Sequence, residues 1–157
     1  MKLLTVYYSR TGYTKKLAES ISRMLESEIM EITEQRSRKG PIGYLHSAKQ
    51  AVGKELSDIE IQEKDFSDYD LVLVGTPVWV GTMAPPIRTY ITRMKDFQGN
   101  VAFFCTSGRG KYENVLREMG ELSGKEPVAI FEMRARGIKQ GDMDSKLVDF
   151  VETIKKL

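Results

Sequence analysis

Leu71-Val72-Leu73-Val74, bracketed by Asp70 and Gly75, leaves this chain the fewest options. The run has no polar interruption, so it lacks the alternation of a strand with one wet face. It is far too short to cross a membrane. A run of this kind fits a central strand of a parallel sheet, buried on both faces. Such a strand needs apolar cover above and below, and helices supply it in chains where strands and helices alternate.

The rest of the chain alternates in that way. Leu3–Tyr8, Val101–Cys105 and Pro127–Met133 read as further strands. Glu28–Thr33 is a short strand with many polar positions, which suits a sheet edge. Between them lie helical patterns at Tyr13–Glu26, Pro86–Met94, Lys111–Leu122 and Asp144–Leu157. Pro86 stands at a helix start and Gly124 just beyond a helix end, where each is favoured. A polar, basic stretch at Gln35–Gly43 holds a Gly40-Pro41 breaker, and Tyr44–Val52 is a further helix candidate stopped by Gly53. The expected fold is an α/β three-layer sandwich: a five-stranded parallel sheet, order 2-1-3-4-5, with right-handed crossovers. One domain is expected over residues 1–157.

Composition narrows the function classes. Apolar content of 41% and charged content of 29% are ordinary for a globular chain with a sizeable core. No apolar run approaches a membrane span and the N-terminus lacks a signal-peptide pattern, so no membrane role and a cytoplasmic location are expected. The single cysteine, Cys105, rules out an internal disulfide, and with the single histidine, His46, it argues against a metal centre; both read as structural. A net charge of +2 and the absence of recognition motifs argue against nucleic acid.

Three segments follow the ends of the first, third and fourth strands and meet at one rim in the expected order. Ligands bind in such sheets at the carboxyl ends of the strands. The first segment is Ser9-Arg10-Thr11-Gly12-Tyr13-Thr14, directly before a helix. Free amides at a helix start, the helix dipole, several hydroxyls and a glycine make a cradle for a terminal phosphate. The bland alternative is that Thr11 caps the helix and Gly12 allows a turn. No G-x-x-x-x-G-K-[ST] or G-x-G-x-x-G accompanies it, so a nucleoside triphosphate or a dinucleotide is not implied. The second segment runs from Thr76 through Pro77, Val78, Trp79, Val80 and Gly81 to Pro85 and holds the only tryptophan. Trp79 is either a core plug or a flat wall for a planar ligand, and the wall is favoured because a loop apex rarely buries an indole. In the third, Thr106-Ser107-Gly108-Arg109-Gly110-Lys111-Tyr112, the glycines let the backbone approach a ligand edge. Tyr112 either adds an aromatic surface or packs at the next helix.

Together these segments resemble the flavodoxin-like superfamily of FMN-binding proteins over nearly the whole chain. The first matches the phosphate loop [ST]-x-T-G-x-T. The second, with Gly75-Thr76-Pro77 and Gly81-x-Met83-Ala84, looks more like the related quinone reductases. The resemblance implies FMN as cofactor. Ser9, Thr11, Thr14 and the amides of Arg10–Thr14 would hold its phosphate. Trp79 would lie against the isoalloxazine, with Val78–Gly81 along the flavin N5 side and Ser107–Gly110 at the pyrimidine edge. No catalytic side chain is implied. It also implies one of two functions: electron carriage between redox protein partners, or an oxidoreductase using NAD(P)H or quinone as small-molecule donor or acceptor. Flavodoxin carriers are usually acidic and this chain is slightly basic, and the connection Gln35–Asp68 is long enough for a flap or partner surface. A receiver-type signalling domain has the same strand order, but it needs acidic residues where Tyr8-Ser9 and Gly75-Thr76 stand.

Overall fold

A computed structural model describes residues 1–34, 49, 53, 56–61, 68–109 and 112–157. Its strands are β1 (Leu3–Tyr7), β2 (Glu28–Glu31), β3 (Thr33–Glu34), β4 (Ile59–Glu60), β5 (Leu71–Trp79), β6 (Thr82–Met83), β7 (Asn100–Ser107) and β8 (Ala129–Arg134). Its helices are α1 (Tyr13–Leu25), α2 (Pro85–Arg93), α3 (Glu113–Ser123), α4 (Ala135–Gln140) and α5 (Met143–Lys155). The long strands pair in the order β2-β1-β5-β7-β8, all parallel. Counted as five strands in chain order, this is 2-1-3-4-5, as the sequence predicts.

The apolar run is continuous because its residues serve two cores in turn. Val72 and Val74 enter one cluster, and Leu71 and Leu73 the other. β7 divides the same way, with Val101, Phe103 and Cys105 on one face and Ala102 and Phe104 on the other. The first face is covered by Ile87, Tyr90 and Ile91 of α2 and by Val115, Leu116 and Met119 of α3. The second is covered by Leu17, Ala18 and Ile21 of α1 and by Leu147, Phe150, Val151 and Ile154 of α5. Each fully buried aliphatic side chain contributes roughly 1.5–3 kcal/mol before its ordering cost. No described helix is long and apolar enough to cross a membrane.

Several differences from the sequence reading bear on the rim. The third strand does not stop at Gly75 but runs on to Trp79, where it turns back as the short antiparallel β6. Ile130 and Glu132 of the last strand are exposed, as an edge position allows. A short helix, α4, follows that strand where no helix is predicted. The helix expected over Tyr44–Val52 lies outside the described residues except for Lys49, whose carbonyl accepts from the Gly53 N–H at 3.0 Å. His46 also lies outside them. The described end of the long connection pairs β4 with β3, and Ser57 bonds the Thr89 hydroxyl at its N–H (2.9 Å) and carbonyl (3.0 Å).

Gly75 marks the step between the buried sheet and the rim. It pairs with Phe104 across the β5–β7 ladder, and a Cβ there would stand 2.1 Å from the phenyl ring. The ring of Phe104 therefore occupies the space that any other residue at position 75 would need. Gly75→Ala is expected to cost about 1–3 kcal/mol in urea unfolding, and Phe104→Leu in the same chain should recover part of it.

Candidate functional site

β1 ends level with Gly75 of β5, β7 ends just past its pairing with Pro77, and β5 itself runs on to Trp79, so the segments that follow them lie at the carboxyl end of the sheet. The Tyr8 N–H donates to the Gly75 carbonyl at 3.2 Å, and the Ile32 N–H donates to that of Tyr7 at 2.8 Å. The chain leaving β1 is thus held from both sides. It then turns into α1 at Gly12, whose φ of 91° lies in the left-handed region that glycine accepts without strain. The Gly12 N–H donates to the Ser9 hydroxyl at 3.1 Å, and the Lys16 N–H closes the first helical turn on the Gly12 carbonyl at 3.0 Å. No side chain caps α1 and no acidic residue stands in its first turn. Its positive end and first amides therefore carry no anionic cap among the described residues. Thr11 is exposed, while Ser9, Arg10, Gly12 and Tyr13 are half-buried.

Thr14 turns the other way. Its buried hydroxyl shares a 2.8 Å hydrogen bond with that of Thr106. This bond fixes the start of α1 to the end of β7, so the first and third segments are joined beneath the rim. Ser107 is also buried, while Gly108 and Arg109 are exposed. Gly110 and Lys111 lie outside the described residues.

The second segment is a hairpin. Val78 pairs with Met83 and Trp79 with Thr82, and the turn consists of Val80 and Gly81 with φ of 52° and 79°. Two positive φ values in a two-residue turn match the twist of the flanking strands. Valine is a poor residue for that conformation, and Val80 stands 62% exposed at the tip. Thr76 is spent inside the hairpin: its hydroxyl donates to the Pro77 carbonyl at 2.9 Å and accepts from the Ala84 N–H at 3.0 Å. Pro77 and Val78 are half-buried.

Trp79 is the last residue of β5, not the apex of a loop, which corrects the premise of the sequence reading. Its indole is 9% exposed and belongs to the core cluster of the α2–α3 face. Tyr8 meets it edge to face, with centroids 5.6 Å apart and planes at 82°. The Arg10 guanidinium lies over it, 5.2 Å from the centroid. One indole therefore joins the first segment to the second. Tyr112 packs at the start of α3 against the same cluster, and its hydroxyl hydrogen-bonds Glu132.

A polar triangle that the sequence does not announce anchors the hairpin. Arg88 of α2 donates to Glu118 of α3 at 3.0 Å and to the Thr82 hydroxyl at 2.8 Å. The Thr82 hydroxyl in turn donates to the second Glu118 oxygen. The Arg88 and Glu118 side chains are only 8% and 17% exposed. Elsewhere at the strand ends, burial and Glu31 raise the Tyr7 phenol, which stays neutral and donates to that carboxylate at 3.0 Å. Burial pushes the Cys105 thiol up to about 12, as befits an inert core residue.

A groove of about 780 Å³ runs along α3 and β8 past Leu116, Pro127 and Ile130. It lies on the outer strand, and none of the three segments lines it.

The chain matches the family model described as Flavodoxin over residues 2–153. It is similar to a flavoprotein of Lactobacillus acidophilus NCFM solved in complex with FMN, with 28% identity and a TM-score of 0.75. That match covers 92% of this chain and 97% of the other. The apo-form of the flavoprotein from the same organism, solved by NMR, is 30% identical with a TM-score of 0.64, over 83% and 91% of the two chains.

Removing Glu118 would leave the Arg88 charge buried and unpaired. Glu118→Ala is therefore expected to lower stability by about 3 kcal/mol in urea titration, and the paired replacement Arg88→Met with Glu118→Leu should recover most of that loss.

Proposed function

The chain belongs to the flavodoxin family, and from that premise we propose that it binds FMN at the carboxyl-end rim and carries electrons between redox partners. The observation that supports this best is the convergence of Ser9–Thr14, the β5–β6 hairpin and Ser107–Arg109 around the uncapped start of α1. The residues present fit a flavin phosphate. A Cβ at Gly12 would meet no atom within 4 Å, so the approach to the helix start is open. The exposed Thr11 hydroxyl and the amides of Arg10–Thr14 would hold the phosphate, with Ser9 donating once its oxygen has accepted from Gly12. Trp79, Val80 and Gly81 would border the ring system on one side, with Ser107 and Gly108 on the other.

FMN when bound supplies one- and two-electron redox chemistry, and the protein supplies binding, orientation and access. Here access is controlled by the hairpin. Thr76 and the Arg88–Glu118–Thr82 triangle hold it beneath, while Val80 and Arg109 are exposed. An exposed apolar tip and an exposed cation suit brief contact with another protein better than enclosure of a small substrate. The alternative is direct use of NAD(P)H or quinone.

Thr11 is the cleanest probe of the phosphate cradle, because it is exposed and anchors nothing else among the described residues. Thr11→Ala should weaken FMN binding by roughly 1.5–3 kcal/mol in fluorescence titration while the unfolding midpoint of the apoprotein stays unchanged. Equal FMN affinity in both proteins would contradict the cradle.

Stopped-flow mixing of the FMN-loaded protein separates the two functions. Electron carriage predicts flavin bleaching by NADPH or NADH slower than about 10 per second, a typical enzyme turnover, and fast reoxidation by an electron-accepting redox protein. Rapid bleaching with quinone turnover would establish the reductase instead.

A further inference from the structure

We propose that the carboxyl end of β8 carries a second anion site, separate from the phosphate cradle, which takes a phosphate group, free or borne by a small molecule. The inference about binding does not rest on the flavin reading. A concavity of about 330 Å³ opens there, lined by Arg134, Arg136, Gln140 and Lys146 with Gly137 among them. That volume is at the small end for ligand pockets and suits one compact group.

Charge is the first argument. Three cations face this space against one carboxylate, Glu132. Although Glu132 is exposed, partial desolvation and the nearby Glu113 raise its pKa, against the lowering effect of the Tyr112 hydrogen bond and Arg134. Arg134, two residues along β8, is its cationic neighbour. Arg136 and Lys146 make no ion pair with any described residue. Other cations nearby are engaged: Arg23 holds Asp144 at 2.8 Å, and Lys139 of α4 lies over the Tyr13 ring at 5.5 Å.

Geometry is the second argument. Lys146 is exposed, and its ammonium lies over Gly137, 3.9 Å from where a Cβ would stand there. The same Cβ would meet the Met133 methyl at 2.9 Å, so a side chain at position 137 would displace part of the floor. Two guanidinium forks, an ammonium and an amide donor match the several oxygens of a phosphate better than a single carboxylate.

Position is the third. Arg134 pairs with Ser107 and Met133 with Thr106 in the β7–β8 ladder. The pocket therefore adjoins the third rim segment, and Tyr112 lines it. A small molecule anchored here by its phosphate would have its remainder beside the rim.

The test is a site-resolved NMR titration of the protein, with FMN bound and without it. The probes are inorganic phosphate and adenosine 2′-monophosphate. Saturable shifts at the amides of Arg134, Gly137 and Lys146 are expected, and the double variant Arg136→Gln, Lys146→Gln should weaken them roughly tenfold or more. FMN affinity should not change in that variant. Saturation by phosphate alone supports the site with the free ion as its source; saturation by the nucleotide, alone or more tightly, supports a nucleotide-borne source. Shifts that stay linear with either probe, or that saturate equally in the double variant, overturn the proposal. Shifts at Gly12 and Thr14 report the other cradle and are read separately. Failure of FMN to bind would leave the titration without FMN intact.

Discussion

The two-faced burial of β5 is the constraint on which the rest of the structure depends. Leu71 and Leu73 feed one core and Val72 and Val74 the other, so neither face can be left to water. This requires helices on both sides and parallel neighbours on both edges. Parallel neighbours require crossover connections, and crossovers bring the strand ends of β1, β5 and β7 to one rim. The place of the rim thus follows from the way hydrophobic area is divided. Gly75 is where the two demands meet. It is small because Phe104 fills the space beside it, and beyond it the strand becomes the hairpin of the rim.

Above that plane polar ties add to the aromatic contact of Trp79 with Tyr8. The Thr14–Thr106 hydroxyl pair joins two strand ends through buried groups, so neither segment moves without exposing or orphaning a hydroxyl. The Arg88–Glu118–Thr82 triangle fixes the hairpin from below. Ion pairs of this kind rarely add net stability over apolar packing, but they specify one arrangement strongly, since a partial break leaves a buried charge. Fixing the hairpin sets the positions of Val80 and Gly81, while Trp79 is held as well by the core cluster and by Tyr8. The left-handed conformation of Val80 fits the same view: a strained exposed valine at a turn persists where the surroundings over-determine it.

The sheet order and most helices were legible because they rest on apolar periodicity, which is written directly in the residues. The turn from β1 into α1 at Gly12 was legible because strand, glycine and helix follow one another without interruption. The hairpin was not, since Val80-Gly81 lacks the Asn-Gly or Asp-Gly signature of a two-residue turn, and so Trp79 read as a loop residue. The triangle was hidden because Arg88 and Glu118 stand 30 residues apart, each on a helix where a charge ordinarily faces water. The short α4 was not legible either, because six residues hold too few apolar positions to show a helical period.

The most direct measurement of the central claim is a backbone amide titration of the apoprotein with FMN. The account predicts that the large shifts fall on three separated stretches, Arg10–Thr14, Val78–Gly81 and Ser107–Arg109, and that they saturate together at one equivalent of FMN. Shifts centred on the groove of Leu116, Pro127 and Ile130, or confined to one of the three stretches, would contradict it.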